Sequence, residues 1–370
     1  MKLITVNSGS SSLRLSVFYR EGQALRLAHA AHYSTTEIFD SDQFSRLLDG
    51  LDALDADMVI HRIVHGGDKL QSTCRVDDRV EAEIERLVPL APLHNNSSLA
   101  LIRYCRKLLA NDVIQLAAFD TAFYSHLPRV ASTYALPKAL CRQLGIRRYG
   151  FHGLAHRAMW SGWCSQKPYS SADGKVITLQ LGSGCSITAI DRGTAIDTSM
   201  GFTPLEGLVM ATRAGDIDPG LIVYLQREGH ISPDELDRIL NRESGLLGVS
   251  GHSSDMRALL DADDPASRLA VDIFCYRIRK YLGAYLAVMG GCDAILIGGG
   301  IGENSPVVRS RIFDTLGWFG IAIDESANQD CNGKVSAIHA PRSRCEVWVM
   351  PVDEAEVLAG EAVEFLNTSS

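Results

Sequence analysis

Ten residues near the start of the chain, "ITVNSGSSSL" at 4–13, return in altered form at 177–186 as "ITLQLGSGCS", an offset of 173 residues. Four of the ten positions are identical. The shared plan matters more than the identities. Each copy is a β-rich run, a turn of small residues, and a second β-rich run, "RLSVF" in one and "ITAI" in the other. A strand–turn–strand unit that recurs once in each half points to a duplicated architecture. The length of 370 residues agrees, being too great for one ordinary domain and about right for two.

The rest of the chain alternates strand and helix signals. "DMVIHRIVH" (57–65), "VIQLAAFD" (113–120), "CDAILIGGG" (292–300) and "CEVWVMP" (345–351) read as strands. "NNSSLALIRYCRKLLAN" (95–111) reads as a helix opened by Asn and Ser caps. "PASRLAVDIFCYRIRKYLGAYLAVM" (265–289) reads as a long amphipathic helix, and "DEAEVLAGEAVEFL" (353–366) as the last one, with Asp353 and Glu356 spaced as a capping box. "SQKPYSSADGK" (165–175) reads as a surface loop. Two α/β domains that face each other across a cleft are expected.

Several function classes fall away on composition. Hydrophobic residues are 46% and charged ones 22%, as in a soluble globular protein. A net charge of −8 argues against nucleic acid as the main partner, because phosphate backbones select clustered Lys and Arg. No stretch approaches the roughly 20 apolar residues that span a bilayer, so no membrane partner is expected. The opening "MKLITVNSGSS" lacks the apolar core of a signal peptide. The nine cysteines are scattered, without a CxxC pair, which reads as reduced thiols in a cytoplasmic protein.

Three glycine- and serine-rich turns follow strand signals: "NSGSSS", "GSGCS" and "GGGIGENS" (298–305). Small residues let phosphate oxygens approach inward-pointing backbone N–H groups, although each turn alone could be an ordinary flexible turn. No GxxxxGK[ST] is present, so the chain is not a P-loop enzyme. The glycines of 298–302 lack the dinucleotide-binding spacing.

Taken together, the motifs resemble one family. "VNSGSSSLRLSVF", "HRIVHGG" (61–67), "APLHN" (91–95), "FDTAFY" (119–124), "YGFHGLAHR" (149–157), "DTSMGFTPLEGLVMATRAGDIDPG" (197–220), "GVSGHSSDMR" (248–257), "GGGIGENS" and "PVDEAEVLA" (351–359) occur in the order seen in acetate kinases. The resemblance runs from residue 3 to about 366, with the chain shorter than a typical member between 19 and 57. It implies an α/β fold of two duplicated RNase H-like domains of the actin-like ATPase type, with the active site in an interdomain cleft. The first domain is expected over 1–124 plus 356–370, and the second, with the nucleotide site and the dimer interface, over 125–355. The implied activity is reversible, magnesium-dependent transfer of the ATP γ-phosphoryl group to acetate by direct in-line transfer, giving acetyl phosphate and ADP. A homodimer is implied, with manganese able to replace magnesium.

The chemistry explains the residue types that the resemblance singles out. A carboxylate nucleophile, with a solution pKa near ~4–5, is already ionised at neutral pH. The obstacle is one anion attacking another, and the remedy is fixed positive charge, oriented donors and a metal. By resemblance Arg62, Asp120, His152 and Arg213 are the catalytic set, although a lone Arg is more often a surface ion pair. Val64, Leu93, His94, Phe151 and Pro204 are implied to bind the substrate, with Val64 leaving room for acetate rather than butyrate; otherwise they are ordinary core. Ser10, Ser12, Arg14, Gly182, Ser183, Gly184, Asp255, Met256, Arg257, Gly299, Gly300, Ile301, Gly302 and Asn304 are implied to hold nucleotide and phosphate. Asn7 and Glu354 are implied at the metal, although Glu354 also suits the first turn of a helix. His61/His65 and His152/His156 have a spacing that suits zinc, but neither pair carries HExxH or a third ligand.

Two positions depart from the family's usual "HLGNGAS": Gln180 stands in place of its histidine and Ser183 in place of its asparagine. Three rival readings remain at this stage. One is the same chemistry on propionate or another short acid. A second is a non-catalytic ATP-binding sensor, which would need no carboxylate clamp. A third is a sugar kinase, which would need a general base and a polar pocket.

Overall fold

The computed structural model describes residues 1–9, 12–22, 24–34, 40–166, 173–331 and 333–369; the side chains of 34, 93 and 369 are outside the description. The chain forms two compact units, Met1–Ser125 with Phe151–Leu154 and Asp353–Ser370, and His126–Gly150 with Ala155–Val352. Residues 125, 151–154 and 353–355 group with the first unit, whereas the sequence reading places them in the second.

The first unit is built on six strands: β1 (Lys2–Ser8), β2 (Ser12–Glu21), β3 (Ala24–Ser34), β4 (Met58–Ile63), β5 (Cys74–Arg75) and β6 (Ile114–Phe119). Their order is β3-β2-β1-β4-β6-β5. β3, β2 and β1 run antiparallel as a meander, β1, β4 and β6 run parallel, and β5 turns back antiparallel. The parallel centre is covered on both faces, which is why its strands read as near-continuous apolar runs. Ile4, Val6 and Val59 point to one face, against Phe44 and Leu48 of the helix Ser41–Gly50 and Leu101 and Cys105 of the helix Pro92–Leu108. Leu3, Met58 and Ile60 point to the other, against Leu358, Ala359 and Ala362 of the C-terminal helix Glu354–Ser369. The period-2 alternation thus fixes where the last helix must return.

The second unit repeats the plan. Its strands are β7 (Lys175–Leu181), β8 (Cys185–Asp191), β9 (Thr194–Thr198), β10 (Ala294–Gly298), β11 (Ser336–Ala337) and β12 (Glu346–Val349), in the order β11-β12-β10-β7-β8-β9. Every neighbour pair has the same sense as its counterpart in the first sheet. β7 and β8 begin 173 residues after β1 and β2, at Lys175 and Cys185 against Lys2 and Ser12. The repeat is therefore structural. The helix Pro265–Met289 runs over its full expected span, opened by the Asp264 side chain and closed by Gly290 at φ 70°.

Local corrections have physical causes. The helix expected at 95–111 spans Pro92–Leu108. Pro92 sits at its first turn, where a missing N–H costs nothing. Asn95, expected as a cap, is fully buried instead; it accepts from the His65 N–H at 3.1 Å and donates to the His65 carbonyl at 2.9 Å. Asp353 does cap the last helix, accepting from Ala355 at 2.8 Å and Glu356 at 3.4 Å. Of the loop expected at 165–175, residues 167–172 lie outside those described. Among the described residues no helix is long and apolar enough to cross a membrane.

The packing of β4 leaves one acid-sensitive group inside the first unit. His61 is 1% exposed, with Nε2 on the Gln115 Oε1 at 2.9 Å, and burial lowers its pKa to about 4 from 6.5. Between those values the unfolded chain takes up a proton that the folded chain refuses, so stability falls as pH drops through that window. The gap corresponds to roughly 3 kcal/mol. Urea denaturation at pH 7 and pH 4.5 is expected to show this loss, and His61→Asn to show a smaller one; equal losses would rule His61 out as the cause.

Candidate active site

The ends of three parallel strands gather the polar groups of the first unit. Asn7 is in β1, Arg62 in β4, and Asp120 directly follows β6. Glu354 joins them from the first turn of the C-terminal helix. The Arg62 guanidinium holds them together. Nε and Nη2 donate to Asp120 Oδ1 at 3.1 Å and Oδ2 at 2.8 Å, and Nη1 donates to Glu354 Oε2 at 3.0 Å and Asn7 Oδ1 at 3.1 Å. Asn7 Nδ2 donates to Glu354 Oε2 at 2.6 Å. The fork on Asp120 is the bidentate geometry that lysine could not supply.

Burial sets the charges apart. The Asp120 side chain is 1% exposed and the Glu354 side chain 19%. Desolvation raises the Asp120 carboxyl above its ordinary value, with Arg62 and the His152 N–H pulling it back. At Glu354 burial works the same way, but Arg62, Asn7, His152 and Arg14 outweigh it and hold the carboxyl low. Arg62 itself is raised, because its two carboxylates overcome its own desolvation.

His152 reaches this group through strained backbone. Its φ is 59°, in the left-handed region that non-glycine residues rarely adopt. Gly153 follows, donating to the Asp120 carbonyl at 3.0 Å, and a Cβ there would lie 2.1 Å from that oxygen. Val64, His94 and Phe151 are buried, at 5%, 9% and 1% exposure. Phe151 meets the His65 ring edge-on at 5.5 Å, and its carbonyl accepts from the Tyr124 hydroxyl at 2.8 Å. Ser10 and the Leu93 side chain lie outside the described residues. Ser12 opens β2, its carbonyl accepting from the Gly9 N–H at 2.7 Å, and Arg14 pairs in register with Asn7.

In the second unit the same strand ends are stripped of charge. The register makes Gln180 the counterpart of Asn7, Gly298 of Arg62 and Val352 of Asp120. Gly298 stands where the first unit has a guanidinium and is closely packed, since a Cβ there would lie 2.9 Å from the Met159 sulfur and 3.0 Å from the Met350 carbonyl. Gly299, at φ 79°, passes so close to β7 that a Cβ would lie 2.6 Å from the Leu181 carbonyl. Its N–H donates to the Glu303 carboxylate at 2.8 Å, a contact that the motif reading missed. Gly300, Ile301, Gly302 and Asn304 form the short helix Gly300–Asn304. The turn Gly182–Ser183–Gly184 lies beside it, since a Cβ on Gly182 would stand 4.0 Å from the Gly300 nitrogen. The Ser183 carbonyl accepts from Ala211 at 3.0 Å. Gln180 Oε1 is buried and has no hydrogen-bond partner among the described residues.

Arg213 differs from Arg62. Its Nη1 donates to the Pro204 carbonyl at 3.0 Å and approaches the Met210 sulfur at 3.7 Å. No ion pair among the described residues includes it, and burial lowers its pKa. A half-buried guanidinium held by one carbonyl and one thioether keeps N–H donors for a further acceptor. Asp255 and Arg257 do not supply one. They pair with each other at 2.8 Å, with the Arg257 side chain 88% exposed, while Met256 between them is buried.

Neither histidine pair makes a zinc site. His156 is engaged at both nitrogens, by Thr178 at 2.6 Å and Ser186 at 2.7 Å, and His61 by Gln115. Among the described residues no group of three or more His, Cys, Asp or Glu could hold a metal. Asn7 and Glu354 still fit magnesium by donor type, because an amide oxygen and a carboxylate are hard oxygen ligands and magnesium draws its remaining ligands from phosphate and water; the amide nitrogen of Asn7 donates to Glu354 at 2.6 Å and its oxygen accepts from Arg62 at 3.1 Å.

A pair of mixed six-stranded sheets repeated in one order, with an arginine–carboxylate cluster on the strand ends of one copy and close-packed glycines on those of the other, defines a phosphotransferase of the actin-like ATPase fold. The model described as the Acetokinase family matches residues 22–360, and the chain belongs to that family, whose members transfer phosphoryl groups to a carboxyl group. The acetate kinase of Chloroherpeton thalassium is 48% identical over 319 residues, covering 84% of this chain and 76% of that protein. The acetate kinase of Halothermothrix orenii is 39% identical over 404 aligned residues, covering 100% of both. Among solved structures, the Porphyromonas gingivalis acetate kinase superposes with a TM-score of 0.88 at 34% identity, covering 99% of each chain. A propionate kinase from Francisella tularensis gives 0.86 at 32% identity, covering 97% of this chain and 98% of its own.

The cluster predicts how stability responds to losing its cation. Arg62→Met leaves Asp120 and Glu354 buried together with their shared guanidinium gone, so both carboxyls rise above their unfolded values. Stability is then lost as pH climbs past the ordinary carboxylate range, at a cost of about 3–5 kcal/mol near neutrality. Urea denaturation at pH 5 and pH 8 should show a deficit that widens toward pH 8. A deficit independent of pH would refute this account of the cluster.

Proposed function

We propose that the protein transfers the γ-phosphoryl group of ATP to acetate, reversibly and in line, giving acetyl phosphate and ADP. The observation that carries this reading is Arg213, a half-buried guanidinium that forms no ion pair with a carboxylate among the described residues. Such a group suits a ligand with two acceptor oxygens, either the acetate carboxylate or the equatorial oxygens of the transferring phosphoryl group. Arg62 is the second arginine of the reading, its fork held in place by Asp120 and Glu354. No general base is required, because acetate is ionised at neutral pH.

The remaining assignments follow the same logic. His152 donates to the phosphoryl oxygens as negative charge develops, and His94 to the acyl side. Asn7 and Glu354 hold magnesium, which when bound neutralises phosphate charge. The small-residue turn after β1 serves phosphoryl oxygens, and the loop at 299–302, open at Gly300, takes the nucleotide. Val64 and Phe151 limit the length of the acid. The similarity to a propionate kinase structure keeps propionate as a second acceptor. A homodimer in a reducing cytoplasm is the assembly that this reading implies; nine free cysteines suit that compartment.

The test is a phosphorylation assay with Mg-ATP on acetate, propionate and butyrate, with hydroxylamine trapping of the acyl phosphate. Activity should decline with chain length, stop with EDTA and return with magnesium. Arg213→Ala should lower kcat on the order of 10²-fold or more. No acyl phosphate from any of the three acids, with ATP still bound, would refute the reading. Val64→Ala should shift relative kcat/KM toward butyrate by roughly tenfold, because a methylene is worth ~1–3 kcal/mol in such a pocket. An unchanged ratio would remove Val64 from the acyl site.

A further inference from the structure

Arg213 lies on a segment without regular secondary structure that carries its own clamps. At the far end, Asp216 accepts from the Gly207 N–H at 2.8 Å and from the Tyr281 hydroxyl at 2.7 Å, and its N–H donates to the Gly207 carbonyl at 3.0 Å. This closes 207–216 into a loop with joined ends. At the near end, the Tyr134 hydroxyl donates to Glu206 Oε2 and accepts from the Phe202 N–H at 2.8 Å. Arg148 completes that end, donating to Glu206 Oε1 at 2.5 Å and to the carbonyls of Thr198 and Ser199 at 3.1 Å each. The Arg148 guanidinium also lies over the Tyr134 ring at 5.6 Å.

One hydroxyl therefore spans the arc from Phe202 to Glu206, and Pro204 is its midpoint. The Pro204 carbonyl is the oxygen on which Arg213 Nη1 rests, at 3.0 Å. The packing around the hydroxyl leaves no slack. A Cβ on Gly201 would stand 2.1 Å from the Tyr134 oxygen and 1.7 Å from Glu206 Oε2. Tyr134 lies outside every motif that singles out a functional residue in the sequence.

We infer that Tyr134 is a positioning residue for Arg213: its hydroxyl, bridging Glu206 and the Phe202 N–H, sets the Pro204 carbonyl that aims the guanidinium. The inference rests on the proposed role of Arg213 in phosphoryl transfer. A guanidinium with one carbonyl acceptor takes its direction from that acceptor, and a displacement near 1 Å is enough to cost up to ~10²-fold in rate.

The decisive experiment is a double-mutant cycle on the full-length protein. Tyr134→Phe removes the hydroxyl and keeps the ring under Arg148. It should lower kcat roughly tenfold or more, leave KM for ATP within about twofold, and leave the thermal unfolding midpoint close to wild type. Arg213→Lys, which loses the planar fork, should be impaired by itself. Adding Tyr134→Phe to Arg213→Lys should then cost little more, because the hydroxyl has no guanidinium left to aim. Glu206→Ala should reproduce the loss from the other side of the bridge. Wild-type kcat in Tyr134→Phe, or the same fold loss in both backgrounds, overturns the positioning role. Undiminished activity in Arg213→Lys would instead overturn the assignment of Arg213, and the inference with it.

Discussion

The guanidinium of Arg62 is the interaction on which the first unit's site depends. Asp120 is almost completely buried and Glu354 nearly so, and neither would be tolerated as an ion without a shared cation. The cluster is costly in its parts and stable only as a whole. Deleting any one member leaves another charge buried. That interdependence fixes the rotamers of Asn7, Asp120 and Glu354 before any ligand arrives. It also explains why the last helix of the chain belongs to the first unit. Glu354 sits on the first turn of that helix, and Leu358, Ala359 and Ala362 hold the helix against β1 and β4.

Duplication provided two sets of strand ends, and the chain uses them in opposite ways. Asn7, Arg62 and Asp120 load one set with charge. Gln180, Gly298 and Val352, their counterparts by register, empty the other. Glycine at this strand end answers to close packing, since a Cβ on Gly298 would crowd the Met159 sulfur and the Met350 carbonyl. The close approach of Gly299 to Leu181 shows how little spare volume the packing leaves elsewhere. Parallel strands that end side by side make either use available, because they bring residues distant in sequence to one line.

The two arginines illustrate how context decides what one residue type does. Arg62 is saturated by protein acceptors and gains charge stability from them. Arg213 is half-buried against a carbonyl and a thioether, and desolvation lowers its pKa. One is a cation held by two carboxylates, and the other a cation held by a carbonyl and a thioether with no acid in an ion pair among the described residues. The loop that carries Arg213 has no helix or strand to define it, so its shape comes from two tyrosine–carboxylate bridges, at Glu206 and at Asp216.

Much was legible in the sequence, where neighbours along the chain carry the information. The repeat at 4–13 and 177–186, the long helix at 265–289 and the strands ending in Asp120 and Gly298 follow from periodicity and small-residue turns. Motif order identified the family. The start of the helix at Pro92 was missed because Asn95 looks like a cap, and only tertiary contact shows it bridging the backbone of His65. Glu303 lies within GGGIGENS, yet the motif does not say that it takes the Gly299 N–H, and Tyr134 carries no local signal, since its partners are Glu206 and Phe202, about 70 residues away. The sequence by itself determined the kind of elements, their duplication and the residue types that the chemistry needs. Only the tertiary structure decided that Asn7 and Glu354, 347 residues apart, would share one hydrogen bond beneath Arg62. Local propensity acts over a few residues, whereas that meeting depends on the register of three parallel strands and the return of the final helix.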